Sequence, residues 1–137
     1  MRLLLLCCLC GVGLTQHGRV RVMVQLVGVR GEKGGTIHVG LHQPPGTGFP
    51  GPSALTNTDV APGGDLRVTF EVAPGDYAVA VHHDANSNGR MEANFLGIPK
   101  EGYAVSNNVR PRFRAPRFTE ARVTVTRDTA LVVRLVY

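Results

Sequence analysis

The sequence contains no tryptophan and few aromatic residues, and its three cysteines all fall within the first ten positions. Beyond Cys10 the chain therefore has neither a disulfide framework nor a thiol for catalysis. No stretch shows the apolar spacing of an amphipathic helix, which argues against a helical bundle. Motifs typical of nucleic-acid-binding domains are also missing.

The apolar run at the start of the chain is too short to cross a membrane, because a spanning helix needs about 20 apolar residues. Within 1–13, a positive charge precedes this run, and two small residues, Gly11 and Gly13, occupy the −3 and −1 positions of a cut after Gly13. These features predict a cleaved signal peptide. Lipidation of Cys10 is the alternative, but Leu9 stands where lipoprotein signals need a small residue. We therefore expect a secreted or periplasmic protein without a transmembrane helix, and a lipid-anchored form is less favoured.

Short runs with apolar residues at every second position dominate the rest of the chain, and glycine (17) and proline (9) are plentiful. This alternation is typical of strands with one buried face. The predicted strands cover 19–27, 36–42, 66–72, 77–83, 122–126 and 131–137, with another near 103–109. We expect 122–126 and 131–137 to pair with each other. About seven short antiparallel strands predict an all-β fold, a single β-sandwich domain over 19–137.

Two parts of this sandwich are harder to assign. Residues 43–65 show no period and are rich in proline, glycine and polar residues, so they form either a mobile surface loop or a short edge strand. On the strand 36–42, His38 and His42 lie opposite the apolar face, about 13 Å apart at the usual rise. We therefore expect both side chains to face solvent rather than share a metal ion.

The densest group of oxygen donors follows the strand 77–83. Counted from Asp84 as position 1, positions 1, 3, 5, 7 and 9 hold Asp84, Asn86, Asn88, Arg90 (through its carbonyl) and Glu92, with Gly89 at position 6. This spacing matches the first nine positions of a calcium loop, in which glycine allows a sharp turn that directs the oxygens inward. Position 12 is Phe95 instead of a bidentate glutamate, and the flanks are strand-like, so a complete EF-hand is excluded.

Two main interpretations of this loop remain open, and a different ligand is a third. A Ca²⁺ site formed by residues 84–92 has only two carboxylates, so its Kd would lie near the weak end, at about 10⁻⁴ to 10⁻³ M. Alternatively, Asn88 and Gly89 form a strong hairpin-turn pair, and the Asp and Asn side chains satisfy the backbone of a turn that binds no ion.

Catalysis is not expected, although a Ser-His-Asp set can be written from Ser106, His83 and Asp84. No nucleophile-elbow sequence surrounds Ser106, and chain neighbours such as His83 and Asp84 have little freedom to form a relay. His82 and His83 point to opposite faces of a strand, so they do not readily share an ion. We expect a histidine here to cap the strand by donating a hydrogen bond to a loop carbonyl.

The segment from Asn94 to Asn108 is unusually apolar for a loop. Its large apolar residues are Phe95, Leu96, Ile98 and Tyr103. We expect the segment to fold back over one end of the sandwich, with Lys100 and Glu101 as a charge pair. The alternative to the calcium site is a metal-free module that binds a protein or a glycan through 94–108.

The chain has a formal net charge of +5, and four of its arginines crowd into 110–117 around Phe113. A basic patch with an aromatic residue is able to hold phosphate. In a chain predicted to be exported and without a nucleic-acid motif, we interpret the patch as a solvated, proline-broken connector. No nucleic-acid partner is expected.

The string HDANSNGRMEANFLGIPKEGYAVSNN, preceded by PGDYAVAV and followed by an F-x-x-A-x-V-x-V pattern, closely resembles a family of small secreted bacterial proteins. That family is catalogued as a domain of unknown function (DUF family 2141). The resemblance extends from about Val20 to Val136. It implies an exported, immunoglobulin-like or prealbumin-like antiparallel β-sandwich, and it supplies no activity. The family usually has aspartate where this chain has Glu92, so the carboxylate of the loop is kept.

Overall fold

The computed structural model of the protein describes residues 18–63 and 66–137, which contain eight strands. These are β1 (Val20–Val27), β2 (Thr36–His42), β3 (Thr56–Val60), β4 (Leu66–Val72), β5 (Gly75–Asp84), β6 (Gly102–Val105), β7 (Val123–Val125) and β8 (Thr129–Arg134). One short helix, α1 (Phe118–Ala121), and 3-10 turns at Gly31–Lys33 and Ser106–Asn108 lie between them. The signal peptide predicted over 1–13 lies outside the described residues. Within the described part, no helix is long and apolar enough to cross a membrane.

The strands form two sheets, which confirms the predicted all-β sandwich. One sheet has three strands in the order β4-β1-β8, and the other has five, with the order β3-β2-β5-β6 and β7 also paired to β5. Among these strands every pair is antiparallel except β1 with β8, which is parallel. The sheets place the 84–92 loop at one end of β5 and the start of β6 beside it.

The two C-terminal strands do not pair with each other, so that prediction is wrong. β7 joins β5 in the five-stranded sheet, and β8 joins β1 in the other. The carboxylate of Asp128, in the link between them, accepts hydrogen bonds from the main-chain N–H of Arg21 at 2.8 Å and from its Nε at 3.0 Å. These bonds fasten the link to the start of β1 at the point where the chain crosses from one sheet to the other.

The core lies between the sheets and is formed by alternate strand positions, as predicted. On β1, Val22, Val24 and Leu26 are buried, while Arg21 and Met23 face solvent. The facing layer on β2 and β5 includes Ile37, Val39, Leu41, Tyr77, Val79 and Val81. Full burial of one Val or Leu side chain contributes about 1.5–3 kcal/mol. These inward rows are therefore the main source of the fold's stability.

The outer face of the five-stranded sheet is covered at one end by a second apolar layer. The loop after β2 brings Phe49 edge-on to Phe118 of α1, with ring centroids 6.1 Å apart. The buried members of this layer are Ala78, Ala80, Val105, Phe118 and Ala121. The prediction that His42 faces solvent is therefore wrong, because its side chain is 2% exposed and its Nε2 lies 3.0 Å from the Gly51 carbonyl. Burial lowers the pKa of His42.

Residues 43–65 contain an edge strand, so the second alternative for this region is correct. β3 pairs antiparallel with β2 along its length. The preceding turn is fixed by Ser53, whose hydroxyl donates to the Leu41 carbonyl. The main-chain N–H of Ser53 also donates to Asn57 Oδ1 at 2.8 Å. This edge places Asp59 opposite His38 on the outer face of the sheet.

Candidate functional site

Asp84, the last residue of β5, holds the following loop in a closed turn. It is buried, and its two carboxylate oxygens accept the main-chain N–H groups of Asn88 at 3.1 Å and Gly89 at 2.7 Å. Burial acts to raise the pKa of Asp84, but these two bonds and the nearby His38 ring outweigh it, so the pKa is lowered. Gly89 has a φ of 74°, a conformation that favours glycine.

The exposed side chains of the loop meet at Glu92. Asn86 and Asn88 both donate their amide nitrogens to Glu92 Oε1, at 3.1 and 3.0 Å. Their amide oxygens instead accept main-chain N–H groups, Asn86 Oδ1 from Asn88 and Asn88 Oδ1 from Arg90. The loop thus brings three of the five predicted ligands together, with Asp84 bonded to its main chain. Among the described residues, no three His, Cys, Asp or Glu side chains are grouped so that they could hold a metal ion.

The two histidines before the loop lie on opposite faces of β5, as predicted. His83 is fully buried, with Nε2 2.7 Å from the Gly34 carbonyl and Nδ1 2.6 Å from the Tyr137 hydroxyl. Because a carbonyl only accepts, the Nε2–H of His83 must be the donor. The expected histidine that donates to a loop carbonyl is therefore confirmed.

His82 faces outward, where it contacts a carboxylate that sequence reasoning assigned to a different partner. The sequence predicts that Glu101 pairs with Lys100, but its Oε2 lies 2.7 Å from His82 Nε2. Glu101 is 6% exposed and also accepts the main-chain N–H groups of Ala85 and Glu92. It therefore ties both ends of the 84–92 loop to the start of β6. The strand register accounts for this role, because it sets His82 opposite Tyr103, two residues from Glu101.

A second pair of polar contacts extends the outer face towards β3. The two ring nitrogens of His38 lie 2.6 Å from Asp59 Oδ1 and 3.5 Å from Asp84 Oδ2. The His38 and His82 rings are 5.7 Å apart between centroids. The outer face beside the loop is therefore a continuous row of histidines and carboxylates that already contact one another.

The apolar segment after the loop does not fold back over the sandwich as a whole, so this prediction is wrong for its first part. Phe95 is 96% exposed and Leu96 is 68% exposed. Asn94 Oδ1 accepts the main-chain N–H groups of Leu96 and Ile98, which closes a tight loop. Only the second part returns, as β6 and the 3-10 turn Ser106–Asn108.

The groove, as we name it, lies between the loop 91–99 and the connector 111–116 and has a volume of about 540 Å³. Its floor is the outer face of β5 and β6, with His82, Tyr103 and Val105. Its walls include Met91, Leu96, Ile98, Pro99, Pro111, Arg112, Phe113, Arg114 and Pro116. The lining is mostly apolar, and its only charged side chains are those of two arginines on the connector.

The connector 110–117 forms a wall of this groove, and no pattern in its residues indicates that position. Arg114 makes two bonds to the Glu120 carboxylate, at 2.8 and 2.6 Å. These bonds, together with one from the Arg117 main-chain N–H, lower the pKa of Glu120 to about 2. Arg112 makes no ion pair or hydrogen bond with any residue in 18–63 or 66–137. One cation at the groove is thus already paired, and the other is open to a ligand.

The Ser-His-Asp set considered from the sequence does not come together. The Ser106 hydroxyl donates to the Ala121 carbonyl and accepts the Val79 N–H, and both bonds are buried. His83 is engaged with Gly34 and Tyr137 as described above, and no hydrogen bond among the described residues joins it to Ser106. Ser106 instead fastens the end of β6 to the chain after α1.

A family model described as "Uncharacterized protein conserved in bacteria (DUF2141)" matches residues 24–132, which is most of the chain. The matched region contains the 84–92 loop, the apolar loop 91–99 and the connector. No curated protein and no solved structure matches the chain. The resemblance drawn from the residues is confirmed, and the chain belongs to the DUF2141 family of uncharacterized bacterial proteins.

Proposed function

We propose that the protein is an exported, non-enzymatic binding module and that the groove is its binding site. The observation that carries this proposal is the gathering of exposed apolar side chains around one concavity. Leu96, 68% exposed, and Phe113, 95% exposed, come from different loops and both line the groove. Single exposed apolar residues are ordinary, whereas a contiguous apolar concavity is typical of a ligand site.

The lining narrows the class of ligand. Hydroxyl-rich ligands need many hydrogen-bond partners, since an unpaired polar group that leaves water costs free energy. The groove offers few such partners, because its walls are mostly apolar side chains such as Leu96, Ile98 and Phe113. Of the partners expected from the sequence for 94–108, a protein or a glycan, the lining favours one that presents a hydrocarbon or aromatic group.

An uncharged, polarity-sensitive dye such as Nile red tests the groove directly. We expect the purified protein to enhance the dye's fluorescence saturably, and a Leu96→Ser/Ile98→Ser double variant to lose most of that enhancement. Val132→Ser is the matched control, because Val132 is 55% exposed on β8, which belongs to the other sheet. Equal enhancement in all three proteins, or none in any, would contradict the proposal.

We also propose that the 84–92 loop binds Ca²⁺ weakly. The observation that favours it is the contact of Asn86, Asn88 and Glu92 around one carboxylate oxygen. An ion there requires both amides to rotate, so that oxygen replaces nitrogen beside Glu92. Amide rotation exchanges donor for acceptor with little change in size, but it also breaks the bonds in which the two amide oxygens accept the N–H groups of Asn88 and Arg90, so ion binding must offset that loss. The expected Kd is again about 10⁻⁴ to 10⁻³ M.

Thermal unfolding in chelator and in ~10 mM Ca²⁺ tests this second proposal. A ligand at ten times a Kd of about 1 mM stabilises the folded state by about 1.4 kcal/mol. We expect that increase in the wild type and its loss in Glu92→Gln, while the control Glu71→Gln on the exposed face of β4 keeps it. No rise in Tm for the wild type would exclude a calcium site of this affinity.

Export is proposed from the features of residues 1–13 and from the resemblance to secreted proteins. The measurement is the N-terminal sequence and mass of the protein recovered from the periplasmic and extracellular fractions. We expect cleavage after Gly13. A mature chain that starts at a lipid-modified Cys10 would instead support the anchored form.

A further inference from the structure

We infer that the groove takes a small anionic amphiphile, a medium-chain alkyl carboxylate whose hydrocarbon chain lies on the apolar lining and whose head group meets Arg112. This inference rests on the proposed function of the groove and names its ligand. It is carried by three properties of the groove, namely its size, the sign of its charge and the separation of its apolar and charged parts.

The size of the groove suits a small molecule. Pockets for drug-sized ligands have volumes of about 300–1,000 Å³, and the groove, at about 540 Å³, lies within that range. Phe95, at 96% exposed, is not among the lining residues. A ligand of the groove therefore need not touch Phe95, whereas a protein docked on the loop would.

The charge of the groove is complementary to an anion. Its lining has two guanidinium groups and no Asp or Glu. Two bonds to the Glu120 carboxylate neutralise the charge of Arg114 and use part of its donor capacity. Arg112 is exposed and has no partner within the described residues, so its five N–H donors are open.

The carboxylates of Glu92 and Glu101 do not line the groove. Glu101 is buried against His82 and two main-chain N–H groups, and Glu92 accepts the amides of Asn86 and Asn88. A planar guanidinium binds a carboxylate through two parallel hydrogen bonds, and such charge-assisted pairs are among the stronger ones. The free Arg112 is thus the natural contact for an anionic head group.

The apolar and charged parts are arranged for an amphiphile. Leu96 and Ile98 line the wall formed by the loop 91–99, and both arginines lie on the connector, where Phe113 stands between them. A chain laid along the lining removes apolar surface from water, at about 25 cal/mol per Å². Its head group at Arg112 remains in contact with solvent, so the charge avoids a large desolvation penalty.

Displacement of Nile red by three ligands of equal chain length tests the inference on the purified protein. The ligands are decanoate, 1-decanol and decyltrimethylammonium, each below its micellar concentration. We expect decanoate to bind about fivefold more tightly than decanol, the upper end for one solvent-exposed ion pair, and the cationic ligand to bind most weakly. The preference for decanoate should shrink as salt is raised from 0.1 to 1 M, since the Debye length falls from about 10 to 3 Å.

Two charge variants separate a specific contact from the overall positive charge. Arg112→Gln should abolish the preference for decanoate over decanol, whereas Arg127→Gln, an exposed arginine between β7 and β8, should keep it. Phe95→Ser should leave decanoate binding unchanged, because Phe95 does not line the groove. Loss of binding in Phe95→Ser would mean that the outer surface of the loop is the contact, and would overturn the inference.

Failure of the inference is distinguishable from failure of the proposed function. If Nile red binds in the groove but decanoate is no tighter than decanol, or if Arg112→Gln keeps the preference, the inference is overturned while the groove remains a binding site. The inference is also overturned, and the groove remains a binding site, if an acidic peptide with apolar side chains displaces the dye and decanoate does not. If Nile red does not bind at all, both statements fail together.

Discussion

Glu101 is the side chain that connects the loop, the groove floor and β6, so its removal gives the most informative test of the site. It is 6% exposed and lies 2.7 Å from His82 Nε2. It also accepts the main-chain N–H of Ala85 at 3.1 Å and of Glu92 at 3.3 Å. Glu101→Ala leaves all three groups without this acceptor, while Glu101→Gln keeps one oxygen.

The expected cost follows from these contacts. A buried donor left without an acceptor costs about 1–3 kcal/mol. His82 and the loop are partly exposed, so water replaces some of what is lost. We therefore expect Glu101→Ala to lower the free energy of unfolding by about 3 kcal/mol and Glu101→Gln by about 1–2 kcal/mol.

Urea unfolding of the wild type and variants measures this cost, with Glu71→Ala as the control. Glu71 is exposed on β4, and a surface substitution of this kind changes stability by at most about 0.5 kcal/mol. Hydrogen exchange adds a local readout, because the amides of Ala85 and Glu92 should exchange faster in Glu101→Ala. If Glu101→Ala costs no more than the control, then Glu101 does not hold the loop and the description of the site is wrong.

Three further predictions follow from single residues. The hydrogen bonds that Asp84 accepts lower its pKa in the folded protein. The ionised carboxylate therefore stabilises the fold above the unfolded pKa of about 3.9, and this stabilisation is lost as pH falls through the lower folded pKa. Asp84→Asn should flatten the acid limb of a stability–pH curve. Burial lowers the pKa of His42, so the unfolded chain binds a proton more readily than the folded protein. The free energy of unfolding should therefore fall as pH drops below about 6.5. Urea unfolding of the wild type and of His42→Leu should show a smaller fall in the variant. Gly35 has a φ of 78°, and a Cβ there would overlap the Asp84 carbonyl, so Gly35→Ala should cost at least about 3 kcal/mol of stability. Gly34 has a φ of 64° but open space around it, so Gly34→Ala should cost about 1 kcal/mol in the same assay. Similar costs for the two variants would contradict the close approach of Gly35 to Asp84.

Most strands of the sandwich could be predicted from the sequence, because apolar and polar residues alternate along each half-buried strand. The predicted bounds of β2 and β4 agree with the structure, since apolar and polar residues alternate over the whole of each run. The pairing of β8 with β1 was not accessible, because alternation defines a buried face but not a partner. The contact of Asp128 with Arg21, more than a hundred residues away in the chain, accompanies this pairing, and nothing local in the sequence indicates it.

The groove was harder to predict for a similar reason. The apolar character of Leu96 and Ile98 is plain in the sequence, but whether such residues pack inward or stand outward depends on Asn94, which closes the loop by local hydrogen bonds. The burial of His42 likewise comes from Phe49, seven residues further along, and nothing on β2 itself indicates it. Side chains covered by a loop are therefore the ones that strand periodicity places on the wrong side.

The two proposals for the site are coupled through one short stretch of chain. Glu92, whose carboxylate gathers the loop amides, lies between Met91 and Ala93, and both of these line the groove. The Glu92 carbonyl accepts the Lys100 N–H at 2.8 Å, and this bond closes the base of the wall 91–99. An ion that tightened the 84–92 loop would therefore stiffen that wall, and a ligand in the groove would in turn favour the ion by the same free energy. The polar loop and the apolar groove are thus best understood as two faces of one structural unit, held to the sheet by Glu101.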